Sequence, residues 1–522
     1  MTPPPETPDR GEEIEKALAE SDLPPNLGRT VLRGVGLAGG GYLLAQVLNL
    51  GFYLALARLA KPADFGILAA ASLVIGLSLM VSESGMMSAL IYRRDRVEEA
   101  ANTAFLSSAA GGLVFALVSL AAAPLIGFFF QSSRVEHVAA ALSGVIFLRT
   151  LTTVPDALLQ RRFSFVRRVV IEPMGVIAFG IAAVIGTANG LGPWGLVIGQ
   201  YAFTVNDLVL SWAFARWRPR PRLATYRMWR ELVAYGRHIL VASAILRIGE
   251  QADTLWLGRF LGAAPLGQYR YGYRLASTPY TALVAGGSYV LFPAFSRIAN
   301  ELGRFEAAFH RSLGWMSFVA FPAGFTLLAV GQPLAVVLFG HVWRNAGGAT
   351  MAMCLFPAMS SVTSVASEAL KAHGRPDLLT RVNTVTTLLA AALMGVLLPL
   401  GLNGVAAALS IASLVSGAYA IETVHRKIGF HRASMINEIW PSAAAAIAAA
   451  LPVLALDRLV LHAAEHGTAG GAAILALEGT LVLTAFLALS AILQPARIRE
   501  LRGAVLGKLT ARRRAAHADA GP

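Results

Sequence analysis

The chain has 522 residues, of which 56% are hydrophobic and only 14% are charged, whereas soluble domains carry about 25% charged residues. So few charges cannot cover a water-exposed surface, which excludes a soluble protein and makes lipid the solvent for much of the chain. The single cysteine, Cys354, excludes an intrachain disulfide.

The formal net charge of +14 is distributed unevenly along the chain. If the apolar runs are helices, 34 of the 44 Lys and Arg residues lie on one side of the membrane, 6 on the other and 4 within helices. This asymmetry follows the positive-inside rule and predicts an inner-membrane protein with both termini in the cytoplasm. Because the basic residues belong mostly to loops that flank helices, the charge does not indicate nucleic-acid binding.

Fourteen apolar runs follow one another along the chain, and a transmembrane helix needs about 20 such residues. The sequence therefore predicts an all-α integral membrane protein of about fourteen transmembrane helices. The runs fall near 34–57, 65–91, 101–122, 135–159, 169–188, 193–215, 238–258, 266–295, 312–339, 348–370, 377–400, 403–424, 438–461 and 470–493.

The two ends of the chain differ from the apolar body. Residues 1–33 are Pro-rich and acidic, lack the basic start of a signal peptide, and are predicted to form a disordered cytoplasmic tail. Residues 495–522 are predicted to form a basic cytoplasmic tail that contacts anionic lipid headgroups. Its basic residues are Arg497, Arg499, Arg502, Lys508 and Arg512 to Arg514.

The sequence also contains an internal repeat. The segment from Leu56 to Gly66 recurs 201 residues later as Leu257 to Gly267, and Gly192-Pro-Trp-Gly195 recurs 209 residues later as Gly401-Leu-Asn-Gly404. Six helices per copy is an even number, so the two copies run parallel, and substrate sites in such folds lie between them. The predicted domains are an N-lobe at 34–230, a C-lobe at 231–430 and two additional helices at 431–494.

Four segments resemble the Wzx-type branch of the polysaccharide transporters, within the superfamily of MATE exporters and the lipid II flippase. They are Leu56 to Gly66, Ser82 to Gly85, Ala89 to Arg94, and Gln251 to Gly262. The chain departs from the family pattern at Glu83, where Asp is more frequent, and at Tyr92, where Gln is frequent. The resemblance implies two six-helix lobes around a central cavity, alternating access, and an undecaprenyl-diphosphate-linked oligosaccharide as cargo.

Ionisable groups within apolar helices are costly and indicate function. Arg149, Thr153, Asp156 and Gln160 are spaced to share one face of the fourth helix, and Arg247, Glu250 and Asp253 to share one side of the seventh. Arginine suits diphosphate binding because its planar fork matches phosphate oxygens. The predicted substrate-binding residues are Arg149, Arg247, Arg270 and Arg274 for phosphate, Tyr271 and Tyr273 for sugar, and Gln46 and Asn49 on the first helix.

For ion coupling we predict Glu250, with Asp253 and Asp156 as further carboxylates. Glu250 lies one turn from Arg247, and a cargo phosphate on that arginine would withdraw its support and favour proton uptake. An alternative is that these charges form static ion pairs that fasten helices. The remaining buried acids lie nearer helix ends, where contact with solvated headgroups explains them: Glu83, Glu172, Asp207, Glu368 and Glu422.

Two motif matches are discarded, so no catalytic, metal or cofactor site is predicted. Gly190 to Gly195 fits the dinucleotide pattern GxGxxG but joins two membrane helices, with no βαβ unit around it. His462 to His466 fits the zinc-protease pattern HxxEH but precedes Gly467 and has no evident third ligand.

The predicted function is flipping of a lipid-linked saccharide to the outer leaflet for surface polysaccharide biosynthesis, with a polymerase and a chain-length regulator as possible partners. The alternatives are a lipid II flippase, a MATE-like cation exporter, which should have an acidic cavity, and a membrane saccharide polymerase, which should have a large outer loop.

Overall fold

The computed structural model describes residues 27–73, 75, 76, 90, 95–162, 166–234, 249 and 251–503. This part of the chain is helical throughout, and no strand occurs in it. The predicted all-α class is confirmed. Short turns connect the helices, and proline often occupies the first helical position, where its missing N–H costs nothing.

In the first part of the chain the described residues contain eight helices with assigned bounds, a further helical stretch at 226–234, and a π-helical turn, Arg167–Ile171, that leads into the sixth helix. The helices are α1 (Leu27–Leu59), α2 (Pro62–Ala71), α3 (Val97–Phe130), α4 (Ser133–Thr150), α5 (Thr153–Arg161), α6 (Glu172–Ala188), α7 (Pro193–Ala215) and α8 (Ala252–Phe260).

Eight more helices with assigned bounds follow, and residues 495–503 at the end of the described chain are also helical. They are α9 (Ala263–Ile298), α10 (Leu302–Phe339), α11 (Arg344–Ala352), α12 (Leu355–Ala372), α13 (Pro376–Leu397), α14 (Gly401–Ile428), α15 (Arg432–Leu456) and α16 (Thr468–Leu493). A second π-helical turn, Asp457–Leu461, ends α15.

Among the described residues, seven helical stretches are long and apolar enough to cross a membrane, or eight if the bent pair α11 and α12 counts as one span. One of the seven, Pro376–Ile428, contains α13 and α14, which pack side by side. Large apolar side chains on α3 remain exposed, with Leu117 at 57% and Phe128 at 81%. Lipid is the solvent that such surfaces require.

The chain divides into two compact units, Met1–Gly267 and Gln268–Pro522. The division falls within α9, so α8 belongs to the first unit, whereas the predicted lobe boundary lies at 230. In the second unit, α10 packs against α12, α15 and α16. Phenylalanine rings hold its core together, with centroids 5.5 Å apart for Phe295 and Phe305 and 5.3 Å apart for Phe305 and Phe430.

The two copies of the repeated motif meet within the first unit through their glycines. A Cβ atom on Gly66 would lie 1.7 Å from the carbonyl oxygen of Ala263, and one on Gly267 would lie 1.9 Å from that of Pro62. Pro62 and Ala263 are 201 positions apart, as are Gly66 and Gly267. The contact is therefore reciprocal between the copies, and only glycine permits so close an approach of two backbones.

Candidate functional site

Four ionisable side chains meet inside the first unit, where α5, α7 and the start of α6 pack together. We call Asp156, Arg167, Glu172 and Asp207 the ion-pair cluster. Asp156 and Asp207 are each only 4% exposed. Buried charges persist in proteins only when they are paired or used, so this cluster is the principal candidate site.

Arg167 lies between the three carboxylates. Its guanidinium forms an ion pair with Asp156, and its nitrogens lie 3.9 Å from Oε1 of Glu172 and 3.9 Å from Oδ2 of Asp207. Ser211 donates a hydrogen bond of 2.8 Å from Oγ to Oδ1 of Asp156. Asp156 is therefore satisfied on both oxygens, and Arg167 is the shared cation.

Asp207 is less well compensated than Asp156. Its Oδ1 atom is buried and has no hydrogen-bond partner among the described residues. The positive charges of Arg167 and Arg149 both act on it. Asp207 therefore depends on these two arginines to compensate its buried charge.

The local backbone explains how Arg167 reaches the carboxylates. It is the first residue of the π-helical turn Arg167–Ile171, and such turns are frequent at functional sites. Asn206 of α7 donates a hydrogen bond of 3.2 Å from Nδ2 to the carbonyl oxygen of Ile171. On the other side, Trp212 donates a hydrogen bond of 3.1 Å from Nε1 to the carbonyl oxygen of Leu151. These bonds hold α7 against the π-helical turn that begins at Arg167 and against the turn that precedes α5, the helix of Asp156.

The predicted polar stripe of the fourth helix is only partly continuous. Residues 151 and 152 form a turn that separates α4 from α5. Thr153 and Asp156 are buried, Arg149 is half-buried and Gln160 is exposed. The stripe thus contributes Asp156 to the cluster and places Arg149 where its charge acts on Asp207. Thr153 is buried beside them, and Gln160 lies at the exposed end of α5.

The other predicted residues of the first unit have mixed surroundings. On α1, Gln46 is exposed and Asn49 is half-buried. Asp253 is 7% exposed, and its Oδ1 atom accepts hydrogen bonds of 2.6 Å from the Thr254 backbone N–H and 3.1 Å from the Thr254 hydroxyl. Asp253 therefore stabilises the first turn of α8. The substrate and coupling roles of these three residues stay predictions.

Arg247 and Glu250, the central pair of the predicted coupling site, lie outside the described residues, as does Glu83. Their roles stay predictions.

In the second unit, α9 carries the other predicted cargo contacts. Tyr271 is 2% exposed, with its ring 4.0 Å from that of Trp343 and 5.0 Å from that of Phe339. Tyr273 is half-buried beside Phe356, with ring centroids 5.6 Å apart, and Arg270 and Arg274 are also half-buried. Tyr271 thus packs among aromatic rings, while Tyr273 retains an accessible part. The predicted sugar and phosphate contacts of these four residues stay predictions.

Sequence reasoning missed Arg167 and assigned Asp207 and Glu172 to headgroup contacts at helix ends. Arg167 was missed because it falls in the loop predicted at 160–168. In the structure a π-helical turn begins at Arg167 and brings the residue inward. One signal was present in the sequence. Asn206, Asp207 and Ser211 occur within one turn or so of each other in an otherwise apolar helix.

The discarded motifs have no metal-binding geometry in the structure. His462 has a positive φ of 46° and ends the π-helical turn after α15, so the HxxEH residues do not share one helical face. No group of three His, Cys, Asp or Glu residues in the described ranges could hold a metal ion. In the basic tail, Arg497 pairs with Glu438 of α15 and so is engaged within the protein. Lys508 and Arg512 to Arg514 lie outside the described residues.

The chain is similar to a known family of proteins. Residues 55–347 match the family model described as polysaccharide biosynthesis protein. The chain belongs to this family. The match covers the repeated motif and the ion-pair cluster, and it agrees with the predicted Wzx-type membership.

Several relatives in this family carry descriptive names. The chain is 25% identical to the succinoglycan biosynthesis transport protein ExoT of Rhizobium meliloti, over 62% of this chain and 63% of ExoT. It is 24% identical to the lipopolysaccharide biosynthesis protein WzxC of Escherichia coli, over 64% of this chain and 68% of WzxC. It is 23% identical to the teichuronic acid biosynthesis protein TuaB of Bacillus subtilis, over 57% of this chain. The match to ExoT and to TuaB spans less than two thirds of each relative.

Solved structures share the fold. The lipid II flippase MurJ in an inward closed conformation superimposes with a TM-score of 0.70 at 16% identity, over 88% of this chain and 99% of MurJ. An inward-facing multidrug MATE transporter superimposes with a TM-score of 0.53, also at 16% identity, over 79% of this chain. The chain therefore has the fold of the superfamily that contains MurJ and the MATE transporters, as predicted.

Proposed function

We propose that this protein flips an undecaprenyl-diphosphate-linked oligosaccharide from the cytoplasmic to the outer leaflet, for surface polysaccharide biosynthesis. Transport proceeds by alternating access and is coupled to cation movement. The observation that carries the proposal is the ion-pair cluster, buried inside a membrane protein of this family. Ionisable groups buried among the helices of a membrane protein mark transport pathways and ion relays.

The names of the relatives support a saccharide as cargo. ExoT is named for succinoglycan transport, WzxC for lipopolysaccharide biosynthesis and TuaB for teichuronic acid biosynthesis. These polymers differ, and a lipid-linked saccharide is the cargo class that fits all three. A polymerase and a chain-length regulator are the proposed partners downstream, because flipped repeat units must be joined outside.

The shared arginine of the cluster supports cation coupling. Arg167 lies beside Asp156, Glu172 and Asp207, and Oδ1 of Asp207 has no hydrogen-bond partner in the described structure, so Asp207 can take up a cation. A cargo phosphate that binds Arg149 or Arg167 would withdraw positive charge from Asp156 and Asp207, and cation uptake would then become more favourable. Such mutual dependence of affinities is what coupling requires. Asp156 retains its predicted coupling role, Asp207 joins it, and Glu250 and Asp253 remain further candidates.

Flipping into reconstituted vesicles, measured with a fluorescent lipid-linked oligosaccharide under imposed proton or sodium gradients, tests cargo and coupling together. We expect the parent chain to respond to one of the gradients and Asp156→Asn to lose that response. Asp377→Asn, which alters an exposed acid paired with Arg375, is the matched control. An Asp156→Asn variant that follows the gradient like the parent would remove Asp156 from the coupling site.

Chromosomal deletion separates the flippase from the exporter alternative. We expect loss of surface polymer and accumulation of lipid-linked repeat units on the cytoplasmic leaflet. Normal polymer together with increased drug sensitivity would contradict the flippase and favour a cation exporter.

Both termini are proposed to lie in the cytoplasm of a cell with this protein in its inner membrane. In a Cys354→Ser background, single cysteines at Asp95 and Arg220 should react only with reagents that reach the cytoplasm. Cysteines at Asn189 and Asn403 should react only from outside. All four positions are exposed. Outside labelling at Asp95 would reverse the proposed topology.

A further inference from the structure

A cavity of about 550 Å³ lies at one end of the first unit, away from the ion-pair cluster. Three turns line it: the one between α1 and α2, the start of α4, and the one between α6 and α7. All three turns follow an outward-running helix in the proposed topology, so the cavity opens on the outer side. We call it the turn cavity. Its volume is within the range of small-molecule sites.

The first turns of three helices border the turn cavity. They belong to α2, α4 and α7, which are 10, 18 and 23 residues long. Helix N-termini attract anions because the aligned peptide dipoles end there with partial positive charge. Ser132 caps α4, with its Oγ 3.4 Å from the Val135 N–H, and Asp64 accepts a hydrogen bond of 3.0 Å from the Lys61 N–H at the start of α2. The N-cap of α7, Gly192, makes no side-chain cap.

Two cationic side chains add to this positive potential. Lys61 and Arg134 both line the cavity, and neither forms an ion pair with any residue that the structure describes. They are two of the six basic residues on the outer side of the predicted topology. The one carboxylate in the lining, Asp64, accepts a hydrogen bond at the N-terminus of α2 and offsets one of the two cations. The remaining excess of one positive charge indicates an anionic ligand.

A hydroxyl and an aromatic ring in the lining favour a sugar rather than a bare ion. Thr187 is only 6% exposed, and within the described chain its Oγ1 atom has no hydrogen-bond partner. A buried hydroxyl of this kind costs free energy unless a ligand satisfies it. Trp194 lines the same cavity and is 43% exposed. An indole face can cover the apolar C–H face of a pyranose ring.

We propose that the turn cavity binds a carboxylate-bearing sugar of the saccharide cargo after it reaches the outer side. Lys61 and Arg134 would pair with the carboxylate, Thr187 would bond a ring hydroxyl, and Trp194 would cover one face of the ring. This inference rests on the proposed function, and it adds the chemical class of the cargo. A phosphate group would satisfy the cations, but it would leave the indole face and most of the volume unused.

The decisive measurement is equilibrium binding to the full chain in nanodiscs of zwitterionic lipid. The probes are trigalacturonate, uncharged maltotriose and inorganic phosphate. We expect trigalacturonate to bind at least about tenfold more tightly than the other two, and Lys61→Gln with Arg134→Gln to remove most of that difference. Thr187→Val keeps the shape but deletes the hydroxyl, and should weaken binding roughly fivefold.

Arg344→Gln is the matched control, because Arg344 lies at an exposed helix start in the second repeat and outside the cavity. Equal loss of binding in this control, or no loss in the Lys61→Gln, Arg134→Gln variant, would overturn the site. Phosphate or added anionic lipid that displaces trigalacturonate at similar concentration would show a headgroup site instead, and equal binding of maltotriose would remove the acidic class.

Thermal unfolding of each variant confirms that the cavity variants fold, and Thr187→Val provides a second test if the double variant does not. The binding assay requires no transport. A chain that binds trigalacturonate but does not flip lipid-linked saccharide would retain the site and lose the proposed function. A chain that flips its cargo without binding trigalacturonate would retain the proposed function and lose the site.

Discussion

The two copies of the repeat keep one contact in common and differ in the charges they bury. Gly66 and Gly267 meet the opposite copy in the same way, each against a carbonyl oxygen. In the first copy α7 buries Asp207, whereas 209 positions later α14 has Ser416. Ser416 accepts a hydrogen bond of 2.6 Å from the Thr386 hydroxyl, so the second copy satisfies that position without charge.

The neighbouring helix and the turns also differ between the copies. Arg149 and Asp156 correspond to Ala358 and Val365 at an offset of 209, and this helix of the second copy buries a different acid, Glu368, which forms an ion pair with Lys371. At the turns, Lys61 corresponds to Gly262 at an offset of 201, and Thr187 and Trp194 correspond to Val396 and Asn403 at an offset of 209. Backbone contacts thus preserve the repeat, while the positions of the buried charges differ between the copies.

The largest expected effect comes from the shared contact. Gly66→Ala would place a Cβ 1.7 Å from the carbonyl oxygen of Ala263, so the two backbones must separate. We expect unfolding to be easier by about 3 kcal/mol, as for severe overpacking, and flipping to be lost. Gly51→Ala, which meets nothing within 4 Å, is the control in thermal unfolding and vesicle assays.

The reciprocal geometry sharpens this test. Gly267→Ala should be as harmful as Gly66→Ala, because its Cβ would lie 1.9 Å from the carbonyl oxygen of Pro62. A mild Gly267→Ala beside a severe Gly66→Ala would show that the contact is not equivalent in the two copies.

A slightly smaller effect is expected where the first copy differs. Arg167→Gln removes the cation shared by three carboxylates and leaves Asp156 buried without its ion pair. Breaking a buried pair costs about 3 kcal/mol, at the low end of the usual range because Arg167 is 31% exposed. Thermal unfolding should show this loss, and addition of Asp156→Asn should recover part of it.

Arg218→Gln, on the exposed loop after α7, is the control for the double-mutant cycle of Arg167→Gln and Asp156→Asn. If Arg167→Gln and Asp156→Asn destabilise additively, the two groups do not interact and the cluster is not a unit.

The repeat and the all-α class could be predicted from sequence because both rest on local patterns. Apolar runs of span length need only composition, and the motif at Leu56–Gly66 recurs at Leu257–Gly267 with four of its eleven residues identical. The cluster could be predicted only in part. Asp156 was identified from helical spacing, but its partner Arg167 depends on a π-helical turn, and no local pattern in the sequence specifies that geometry.

Tyr271 shows a second feature that sequence spacing does not predict, which is burial. Its place beside Arg270 and Arg274 indicated a polar surface, yet Trp343 and Phe339, more than 60 positions away, enclose its ring. Burial by distant residues cannot be read from the spacing of near ones.

Exchanging the residues at the equivalent positions of the two copies, Asp207 and Ser416, should have a moderate effect on stability or flipping. Ser416→Asp would introduce a buried charge at a site that has only hydroxyl neighbours, and we expect a loss of about 2 kcal/mol. Asp207→Ser removes an acid whose Oδ1 lacks a partner in the described structure, so stability should change little while gradient-driven flipping falls. Unfolding and flipping assays on both variants check this. A stable, fully active Ser416→Asp variant would show that the second copy also tolerates charge.

The smallest effect is expected at a buried acid that lies outside both copies. Glu478 of α16 is 0% exposed, and its carboxyl lies beside that of Asp457. Neither Glu478 oxygen has a hydrogen-bond partner in the part of the chain that the structure describes. Asp457, by contrast, accepts a hydrogen bond of 2.9 Å from the Ala463 N–H. Glu478→Gln keeps the size of the side chain and replaces an acid next to Asp457 by a group that cannot ionise. The new amide N–H₂ can donate a hydrogen bond to the Asp457 carboxylate. We therefore expect unchanged stability or a gain of about 1 kcal/mol, and unchanged flipping.

Asp457→Ala should instead lose about 1 kcal/mol or more, because it leaves the Ala463 N–H without an acceptor. Thermal unfolding and vesicle flipping measured on both variants decide the matter. Loss of flipping in a stable Glu478→Gln variant would place a functional charge outside the first copy, and the contrast between the copies would no longer describe where this protein uses its charges.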